Sequence, residues 1–476
     1  MEIFRDYDIR GEYPTDINDE ISYKIARCLI KYFNAKNVVI GRDISLKTPK
    51  IHKALIKGFT DSGADVSDIG LAGTDVVYFA AGFYKFDIGI EVTASHSAGH
   101  LSGIKIVGPV ARPFGKGAGM EDLKELYENY EDKPVSKKKG KIEKKDFWKN
   151  FISESLKFVN VKKIKPLKVV IDASNAVGGI EIDYVEKYLP KVEFVKINWK
   201  LDGNYPGHEP NPSLAENREQ AVAKVKEVGA DMGLVFDGDG DRVHFIDENG
   251  DYIYGVYIAG LIVKKMLENN PGRAILHDIR ATKYLIKIAK ENKGIPILEL
   301  VGHSFFKKRM KKENALFGIE CSGHVYYNFD TFMVENSLIA ILQIMEIISE
   351  TGKSLGELTR EPRKLYPVSG EYNFSLPGFK FGEELTEEAL ETMNEILEKV
   401  RDKYKYGNIS DFDTLTVNFP GWSFNIRPSA NDPLIRLTIE ADNPEKIEKK
   451  IKEVSDLLIS LDCKIVDDSG VTQIKD

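Results

Sequence analysis

The sequence predicts an α/β protein that ends in a smaller α+β module. Over most of the chain, short apolar segments that end at a polar residue alternate with helical patterns. Near the C-terminus, strand patterns instead follow one another directly. Strands that alternate with helices indicate βαβ units and a largely parallel sheet in each unit. The chain has 476 residues, and at about 150 residues per domain we expect three or four domains.

Four strand patterns support the α/β part of this prediction. They are Phe86–Val92, Lys168–Asp172, Asp231–Asp237 and Arg273–Asp278. The first alternates with period two, and the other three are apolar runs that end at an acid. A helical pattern with apolar Leu285, Ile288 and Ala289 follows the last of them.

The C-terminal module is predicted from three strand patterns and one amphipathic helix. They are the strands Thr414–Phe419, Trp422–Ile426 and Leu434–Glu440 and the helix Pro444–Leu461. Strands grouped together and then followed by a helix are typical of α+β structure. Domain boundaries are expected at the basic stretch Lys137–Lys141 and near Asp251–Gly260 and Leu365–Gly370.

Composition favours a soluble globular protein and argues against several functional classes. Hydrophobic residues make up 42% of the chain and charged residues 30%. Met1–Gly11 lacks the apolar core of a secretory signal, and no run approaches the roughly 20 apolar residues of a membrane span. The net charge of −7 argues against a general nucleic-acid binder. Three widely separated cysteines predict no disulfide framework, which fits a reducing compartment, so we expect a cytoplasmic protein. Because no apolar run is long enough to span a membrane, we also expect no membrane partner.

The sharpest local signal is the loop Asp237-Gly-Asp239-Gly-Asp241-Arg242, which directly follows an apolar strand. Open α/β sheets bind ligands at the carboxyl ends of their strands. Alternate residues of an extended segment point to one side, so the three carboxylates would repel each other unless a cation lay between them. We therefore predict a divalent metal site here rather than an acidic surface turn.

A calcium-binding EF-hand loop has the same Asp-x-Asp-x-Asp spacing, and Glu248 lies at its twelfth position. Its sixth position needs glycine for a sharp turn, and here that residue is Arg242. A strand rather than a helix precedes the loop. Magnesium is the favoured metal, because three carboxylates leave room for one further anionic oxygen and water. The calcium interpretation remains the alternative.

A serine follows the strand that ends at Val92, in the segment Thr93-Ala-Ser95-His96-Ser-Ala-Gly-His100. A serine at a junction between a strand and a loop can act as a nucleophile, although alone it is more often a turn residue. Downstream, Lys105 lies between apolar neighbours. If it is buried beside other cations, its pKa would be lowered and it could act as a base; otherwise it is a solvent-facing lysine.

Two further segments carry polar groups that could bind sugar hydroxyls in one case and phosphate in the other, although a lone histidine such as that of the first segment is usually structural. In Ile319-Glu320-Cys-Ser322-Gly-His324, the first two polar side chains would share a face, and the histidine could move a proton near neutral pH. In Arg427-Pro-Ser429-Ala-Asn431-Asp432, the guanidinium fork matches phosphate oxygens, and the serine and backbone amides add donors. An ordinary proline-rich turn is the alternative for this last segment.

In this order, the four segments resemble the α-D-phosphohexomutase family, specifically its phosphomannomutase/phosphoglucomutase branch. The resemblance runs through nearly the whole chain and includes Phe4–Gly11, Gly41–Asp43 and Gly302–Ser304. It implies three related α/β domains with mixed sheets plus a C-terminal α+β domain around a central cleft. The expected ranges are 1–146 with the phosphoserine loop, 147–255 with the metal loop, 256–368 with the sugar-binding loop and 369–476 with the phosphate-binding loop.

The resemblance also implies roles for single residues. Ser95 would carry a phosphate in the active form, and Asp237, Asp239 and Asp241 would hold Mg²⁺ together with an oxygen of that phosphoserine. Glu320 and Ser322 match residues that recognise the sugar O3 and O4 hydroxyls. Arg427, Ser429 and Asn431 match the loop that binds the non-reacting phosphate. The cleft-lining positions are Tyr7, Arg10, Lys105, Arg242, Arg280, His303 and His324; among these, Arg10, Lys105, Arg242 and His324 are expected to assist catalysis.

The implied reaction interconverts hexose 1-phosphate and hexose 6-phosphate, of mannose, glucose or both. It runs through a hexose 1,6-bisphosphate, which also serves as activator. The implied partner is a small phosphosugar, and the chain is expected to be a monomer or homodimer. The alternatives are a mutase for phosphoglucosamine or a phosphopentose and, in another class, a non-catalytic protein that binds a divalent metal or a sugar phosphate.

Several positions depart from the family pattern. Ser97-Ala98 replaces the usual Asn-Pro, and Leu101-Ser102 replaces the usual Tyr-Asn. Ile319 stands where glycine is common, Asn431-Asp432 where Thr-Glu or Thr-Thr is common, and Arg280 where lysine is more frequent. The reactive groups are retained, so these departures bear mainly on the choice of sugar.

Overall fold

Four β-sheets, each with its own helices, follow one another along the chain. The computed structural model describes residues 3–97, 101–131, 136–280, 282–380, 385–429, 433–471 and 473. Within these ranges, every helix is too short or too polar to cross a membrane.

The first sheet has seven strands in the order β1-β5-β4-β2-β3-β7, with β6 paired to β5. Its strands are β1 (Ile9–Glu12), β2 (Asn37–Arg42), β3 (Asp65–Leu71), β4 (Ile88–Thr93), β5 (Leu101–Gly108), β6 (Arg112–Pro113) and β7 (Ile142–Lys144). Its helices are α1 (Asp19–Phe33), α2 (Thr48–Asp61), α3 (Thr74–Phe83) and α4 (Met120–Glu128).

The second and third sheets have five strands each, in the orders β12-β11-β10-β8-β9 and β14-β13-β15-β16-β17. The strands of the second are β8 (Leu167–Asp172), β9 (Val192–Ile197), β10 (Met232–Phe236), β11 (Val243–Asp247) and β12 (Tyr252–Ile253), with α5 (Trp148–Ser155), α6 (Gly178–Val185) and α7 (Glu219–Val228). Those of the third are β13 (Ala274–His277), β14 (Ile295–Leu298), β15 (Phe317–Ile319), β16 (Val325–Asn328) and β17 (Met333–Glu335), with α8 (Gly255–Glu268), α9 (Lys283–Glu291), α10 (His303–Glu313), α11 (Ser337–Thr351) and α12 (Leu355–Leu365).

These three sheets are mixed, as the resemblance implies, whereas the residue patterns alone predict largely parallel sheets. In the first sheet β2 runs parallel to β3 and β4, but β5 is antiparallel to β4. In the second, β8 is parallel to β9 and β10, and β11 is antiparallel to β10. Short connections cause the difference, because a loop such as 237–242 can return the chain only as an antiparallel neighbour.

The fourth sheet is antiparallel throughout and has the order β19-β20-β21-β22-β18-β23. Its elements are β18 (Val368–Ser375), β19 (Asn408–Ser410), β20 (Leu415–Phe419), β21 (Trp422–Pro428), β22 (Leu434–Ala441), β23 (Lys464–Asp468), α13 (Glu387–Lys403) and α14 (Pro444–Ser460). The predicted α+β module is therefore confirmed. Its last helix begins where Asn443 accepts a hydrogen bond from the Lys446 amide and proline occupies the first turn.

Among the described residues, the buried hydrophobic side chains form five clusters, and three of these lie within the first, second and third units. One continuous cluster of buried side chains joins parts of the first three sheets, and a separate cluster lies under the fourth. Phe79 of α3 packs against Phe151, Phe329 and Phe332, which belong to the second and third units. Since α3 also begins beside the candidate site, this shared core fixes the site's position relative to three sheets.

Candidate active site

The Ser95 loop and the aspartate loop meet at the carboxyl ends of two strands. Ser95 follows β4 and is 1% exposed, and the aspartate loop connects β10 to β11. A Cβ atom added to Gly238 would lie 2.1 Å from the Ser95 carbonyl oxygen. Only glycine permits this approach, because any side chain would collide with the opposing backbone. Two strands flank the aspartate loop, so the EF-hand interpretation, which requires helices, does not fit.

Ser95 is held in a backbone conformation that a serine seldom adopts. Its φ is +51°, in the left-handed region. Its amide donates to the Thr93 hydroxyl at 2.6 Å, and that hydroxyl donates to Asp43 at 2.8 Å. The same carboxylate oxygen accepts the Ala94 amide at 2.7 Å. Burial raises the Asp43 pKa to about 6. A serine with a positive φ is strained, and such backbone strain persists only where the surrounding contacts impose it; it is common at functional sites.

Asp237, Asp239 and Asp241 form a buried group, here named the aspartate cage. Each offers an oxygen, and these oxygens lie within 4.8 Å of one another. One oxygen of each carboxylate is buried without a hydrogen-bond partner: Asp237 Oδ2, Asp239 Oδ1 and Asp241 Oδ1. Hard divalent cations prefer oxygen ligands of this kind. The donor set therefore fits a divalent metal ion.

Lys105 lies against the cage rather than in solvent. Its Nζ is 2.5 Å from Asp239 Oδ2 and 2.7 Å from Asp241 Oδ2. Burial alone would lower the lysine pKa, but the two carboxylates raise it well above its ordinary value. Neither of the two alternatives offered for Lys105 is therefore correct, because the side chain is buried and its nearest charged neighbours are anions. Thr74, at the start of α3, donates to the same Asp239 oxygen at 2.6 Å.

Arg242 links the cage to the serine. Its Nη2 donates to Ser95 Oγ at 2.9 Å, and its Nε lies 3.0 Å from Asp237 Oδ2. The same Nη2 also contacts His96 Nδ1. Burial and the guanidinium charge hold the His96 pKa well below its usual range. A neutral imidazole can accept this contact, and the arginine remains directed at the serine hydroxyl.

Glu320, Ser322 and His324 of the third sheet lie on the other side of the cage. His324 Nε2 is 3.3 Å from Asp241 Oδ1, and its Nδ1 is 3.2 Å from the Ser322 hydroxyl. The Glu320 carboxylate accepts the Gly302 amide at 2.6 Å and the Tyr326 hydroxyl at 2.5 Å. Both of its oxygens therefore have protein partners that orient it.

Tyr7, Arg10 and His303 line a cavity of about 590 Å³ next to Ser95. The Tyr7 hydroxyl donates to the Val301 carbonyl at 2.9 Å, and burial raises its pKa. Arg10 pairs with Asp8 at 2.8 Å. The other residues of the cavity wall include Lys105, Arg242, His324 and Ser429. Residues from the first, second, third and fourth sheet units thus share one cavity.

Arg280, Arg427 and Arg436 surround the carboxylate of Glu371, and these four residues are here named the arginine cluster. Glu371 Oε2 is 2.9 Å from Arg427 Nη2 and 3.6 Å from Arg280 Nη1, and Oε1 is 3.1 Å from Arg436 Nη1. Burial would raise the Glu371 pKa, but the guanidinium charges hold it well below its usual range. A second cavity, of about 200 Å³, touches this cluster, Arg242 and Ser322.

Most of the predicted site residues line one or both of these cavities, which share Arg242 and His96. Asp237, Asp239, Asp241, Glu320 and Arg427 do not line either cavity but contact residues that do. Ser429 accepts a hydrogen bond from Arg436 at 3.1 Å. Asn431 lies outside the described residues. No local sequence pattern indicates a site role for Asp43, Thr74, Glu371 or Arg436. Arg436 could have been recognised from the β21–β22 pairing, which sets it directly opposite Arg427.

Three profiles of one protein family match the chain in order. They are phosphoglucomutase/phosphomannomutase alpha/beta/alpha domain I over residues 1–134, domain II over 146–250 and domain III over 250–366. Phosphomannomutase from Vibrio cholerae is 35% identical over 472 residues, which cover 96% of this chain and 98% of that protein. Phosphomannomutase from Escherichia coli K12 is 35% identical over 443 residues, covering 92% of this chain and 94% of that protein.

A solved structure agrees with these sequence matches. The crystal structure of a phosphoglucomutase/phosphomannomutase family protein from Burkholderia thailandensis superposes with a TM-score of 0.81 at 26% identity. The superposition covers 98% of this chain and 99% of the other. The chain therefore belongs to the phosphoglucomutase/phosphomannomutase family of phosphohexomutases and is an enzyme of the isomerase class.

Proposed function

We propose that this enzyme interconverts hexose 1-phosphates and hexose 6-phosphates of mannose, glucose or both through a phosphorylated Ser95. The observation that carries the proposal is the hydrogen bond from Arg242 to the Ser95 hydroxyl, made by the same guanidinium that pairs with the aspartate cage. A phosphate on this serine would lie between cationic side chains and the cage. Phosphoryl transfer depends mainly on positioning and charge neutralisation, which this arrangement supplies.

Asp237, Asp239 and Asp241, together with an oxygen of the phosphorylated Ser95, would hold Mg²⁺. Three buried aspartate oxygens that accept no hydrogen bond support this assignment. Asp237 Oδ2 and Asp241 Oδ1 have only ion-pair contacts, with Arg242 and His324. A divalent cation bound there would neutralise charge on the phosphoryl oxygens.

In the first step, the phosphorylated Ser95 gives its phosphoryl group to the free hydroxyl of a bound hexose monophosphate. The bond from Ser95 Oγ to phosphorus breaks as a bond from the sugar oxygen to phosphorus forms. The hydroxyl proton passes to a nearby base. Of the two predicted candidates, Lys105 and His324, the histidine is favoured, because the ion pairs of Lys105 with Asp239 and Asp241 keep its amine protonated. Arg242, directed at Ser95 Oγ, would stabilise the negative charge that develops on that oxygen.

In the second step, the resulting hexose 1,6-bisphosphate turns around within the cleft and returns its other phosphoryl group to Ser95. The cavity beside the serine, of about 590 Å³, is within the usual size range of small-molecule sites and supports this reorientation. Added hexose 1,6-bisphosphate would act as an activator, because it rephosphorylates enzyme that has lost its phosphate.

The remaining polar groups would recognise the two ends of the sugar phosphate. Glu320 and Ser322 are proposed to bind the sugar O3 and O4 hydroxyls. The groups proposed to hold the non-reacting phosphate and line its path are Tyr7, Arg10, Arg280, His303, Arg427, Ser429 and Asn431. Guanidinium groups suit this task because their paired donors match phosphate oxygens.

Domain organisation and location belong to the same proposal. The ranges 1–146, 147–255, 256–368 and 369–476 each contain one of the four sheets, except that β18 of the fourth sheet begins at Val368, which supports treating these ranges as domains. Three buried cysteines without disulfides support a reducing compartment and hence the cytoplasm.

A coupled assay tests the proposed reaction. Purified enzyme with Mg²⁺ and a catalytic amount of glucose 1,6-bisphosphate should convert glucose 1-phosphate, mannose 1-phosphate or both to the 6-phosphates. Glucosamine 1-phosphate and ribose 1-phosphate in parallel reactions distinguish the alternative mutases. Bisphosphate labelled with radioactive phosphorus should transfer label to the protein, and peptide mapping should find it on Ser95. Absence of both turnover and protein labelling would favour a non-catalytic sugar-phosphate binder.

A further inference from the structure

Two arginines lie directly opposite each other on neighbouring strands of the fourth sheet. Arg427 of β21 and Arg436 of β22 are Cα partners in the antiparallel register. Like charges in directly opposed cross-strand positions repel each other and destabilise the sheet. A pair of this kind therefore needs a compensating anion.

Glu371 of β18 supplies that anion. It is paired with Thr438 of β22, two residues beyond Arg436, so Glu371 and both arginines share one face of the sheet. One carboxylate oxygen accepts a hydrogen bond from Arg427 at 2.9 Å, and the other accepts one from Arg436 at 3.1 Å. The side chain is 17% exposed. A carboxylate with one oxygen on each guanidinium group sets the separation of the two groups and also compensates part of their positive charge.

The same carboxylate reaches the third sheet. Arg280 Nη1 lies 3.6 Å from Glu371 Oε2, while its other nitrogens contact Asp278 and the Ser322 hydroxyl. Glu371 itself is anchored at the backbone, where its amide donates to Ser469 Oγ at 2.9 Å and its carbonyl accepts the Ser469 amide at 3.0 Å. The carboxylate of this backbone-anchored residue thus connects guanidinium groups of the third and fourth sheet units.

We propose that Glu371 is a positioning residue that sets the spacing and direction of Arg427, Arg436 and Arg280 for binding the non-reacting phosphate, with Arg436 a further phosphate-binding group. This role depends on the proposed function, which assigns the Arg427 loop to that phosphate. Arg436 also donates to Ser429, so the carboxylate orients the serine through it. Glu371 acts through the arginines and touches no reacting atom.

Two effects of removing the Glu371 charge oppose each other. Loss of a competing anion would strengthen phosphate binding, whereas loss of the shared acceptor would let the long arginine side chains separate and weaken it. Glu371 is one of three carboxylates near these guanidinium groups, with Asp278 and Asp413, so its loss removes only part of the competing negative charge. Positioning should therefore dominate, because ordering flexible side chains is a large part of the cost of binding.

The test compares Glu371→Gln with a matched control, Glu440→Gln. Glu440 is also a buried carboxylate on the fourth sheet that contacts the third, through Thr282 and the Lys283 amide. For Glu371→Gln we expect the KM for glucose 6-phosphate to rise about tenfold, equivalent to about 1.4 kcal/mol, with kcat changed less than about threefold. The control should leave KM within about twofold of the wild type, because its hydrogen-bond partners, Thr282 and the Lys283 amide, are not among the proposed phosphate-binding groups.

A double-mutant cycle separates positioning from a general structural effect. In an Arg436→Gln background, Glu371→Gln should raise KM much less than in the wild type, because one of the arginines that Glu371 positions is already absent. An unchanged or lowered KM in Glu371→Gln, an equal rise in the Glu440→Gln control, or full additivity in the cycle would each overturn the proposal.

Direct binding separates this proposal from the proposed function. Calorimetry with inorganic phosphate and with glucose 6-phosphate measures affinity without turnover. If the wild type binds both but converts neither sugar phosphate, the mutase reaction is wrong, while weaker binding by Glu371→Gln still supports the positioning role. If the wild type binds neither, the positioning role is wrong as well.

Discussion

The aspartate cage and the arginine cluster are the two charged ends of one cleft, and they are built differently. The cage lies on the loop at the end of β10, where Gly238 allows close contact with the backbone of the Ser95 loop at the end of β4. The cluster consists of long side chains, three of them on strands of the fourth sheet and one, Arg280, on the third unit. Carboxylates outnumber lysine at one end, and guanidinium groups outnumber carboxylates at the other.

This difference matches what each end is proposed to bind. A small cation needs ligands at fixed distances, so short side chains on pinned loops suit it. A phosphate that arrives from either end of a sugar needs several paired donors, and guanidinium groups whose spacing is set by Glu371 would supply them. The two ends also differ in the units that carry them, since the cage lies on the second unit, whereas the cluster combines residues of the fourth sheet with Arg280 of the third unit.

The largest effect is expected at the serine. Ser95→Ala should lower kcat by at least about 10⁴-fold, because loss of a nucleophile removes the covalent route. Ser97→Ala, two residues along the same loop, is the control and should retain most activity. Steady-state rates and intact mass of both proteins provide the measurement. A fully active Ser95→Ala enzyme would rule out the phosphoserine.

Next in size is the effect of breaking the cage. Asp239→Asn should lower kcat by about 10²–10³-fold and weaken the response to added Mg²⁺, because a charged oxygen ligand becomes neutral. Asp231→Asn, on the exposed start of the same strand segment, is the control. Titration of EDTA-treated enzyme with Mg²⁺ measures the response. If Asp239→Asn kept wild-type activity and metal dependence, the cage would not be the metal site.

A smaller effect is expected at the arginine cluster. Arg427→Gln should raise the KM for hexose phosphates by about 10–100-fold, the value of a hydrogen bond to a charged group, with less change in kcat. Arg401→Gln, on the solvent side of α13, provides the comparison. Equal loss in kcat and kcat/KM would instead mean that Arg427 acts at the reacting phosphate.

The smallest expected effect concerns a histidine that supports the cage side of the cleft. His208 Nε2 lies 3.0 Å from Asp172 Oδ2 at the end of β8. Burial would lower the His208 pKa, but the Asp172 carboxylate raises it above its ordinary value. The stability that this pair contributes is thus fully present below about pH 6.5 and is lost as the pH rises through the folded-state pKa.

Thermal unfolding of the wild type and His208→Gln checks this sign. The wild type should unfold about 1–2 °C above the variant near pH 6, since one such pair is a small fraction of the stability of a large chain. The gap should narrow towards pH 9. A gap that stays constant or widens over this range would contradict a charged pair.

Most of the local structure was predictable from the sequence, and the sheet pairing was less so. The patterns at Lys168–Asp172 and Leu434–Glu440 became strands within one residue of their predicted bounds. The mixed direction of the first three sheets is missing from those patterns, since a buried strand has the same composition beside a parallel or an antiparallel neighbour. The family resemblance supplied the direction instead.

For the site, the sequence by itself determined which reactive groups exist and where strands end beside them, as at Ser95 and Asp237–Asp241. Only the tertiary structure decided their partners. Lys105 meets carboxylates rather than cations, and Glu371 joins arginines that are 56, 65 and 91 residues away in the chain. The physical reason is that a pKa and an ion pair depend on distances between groups that folding brings together, which no local pattern encodes.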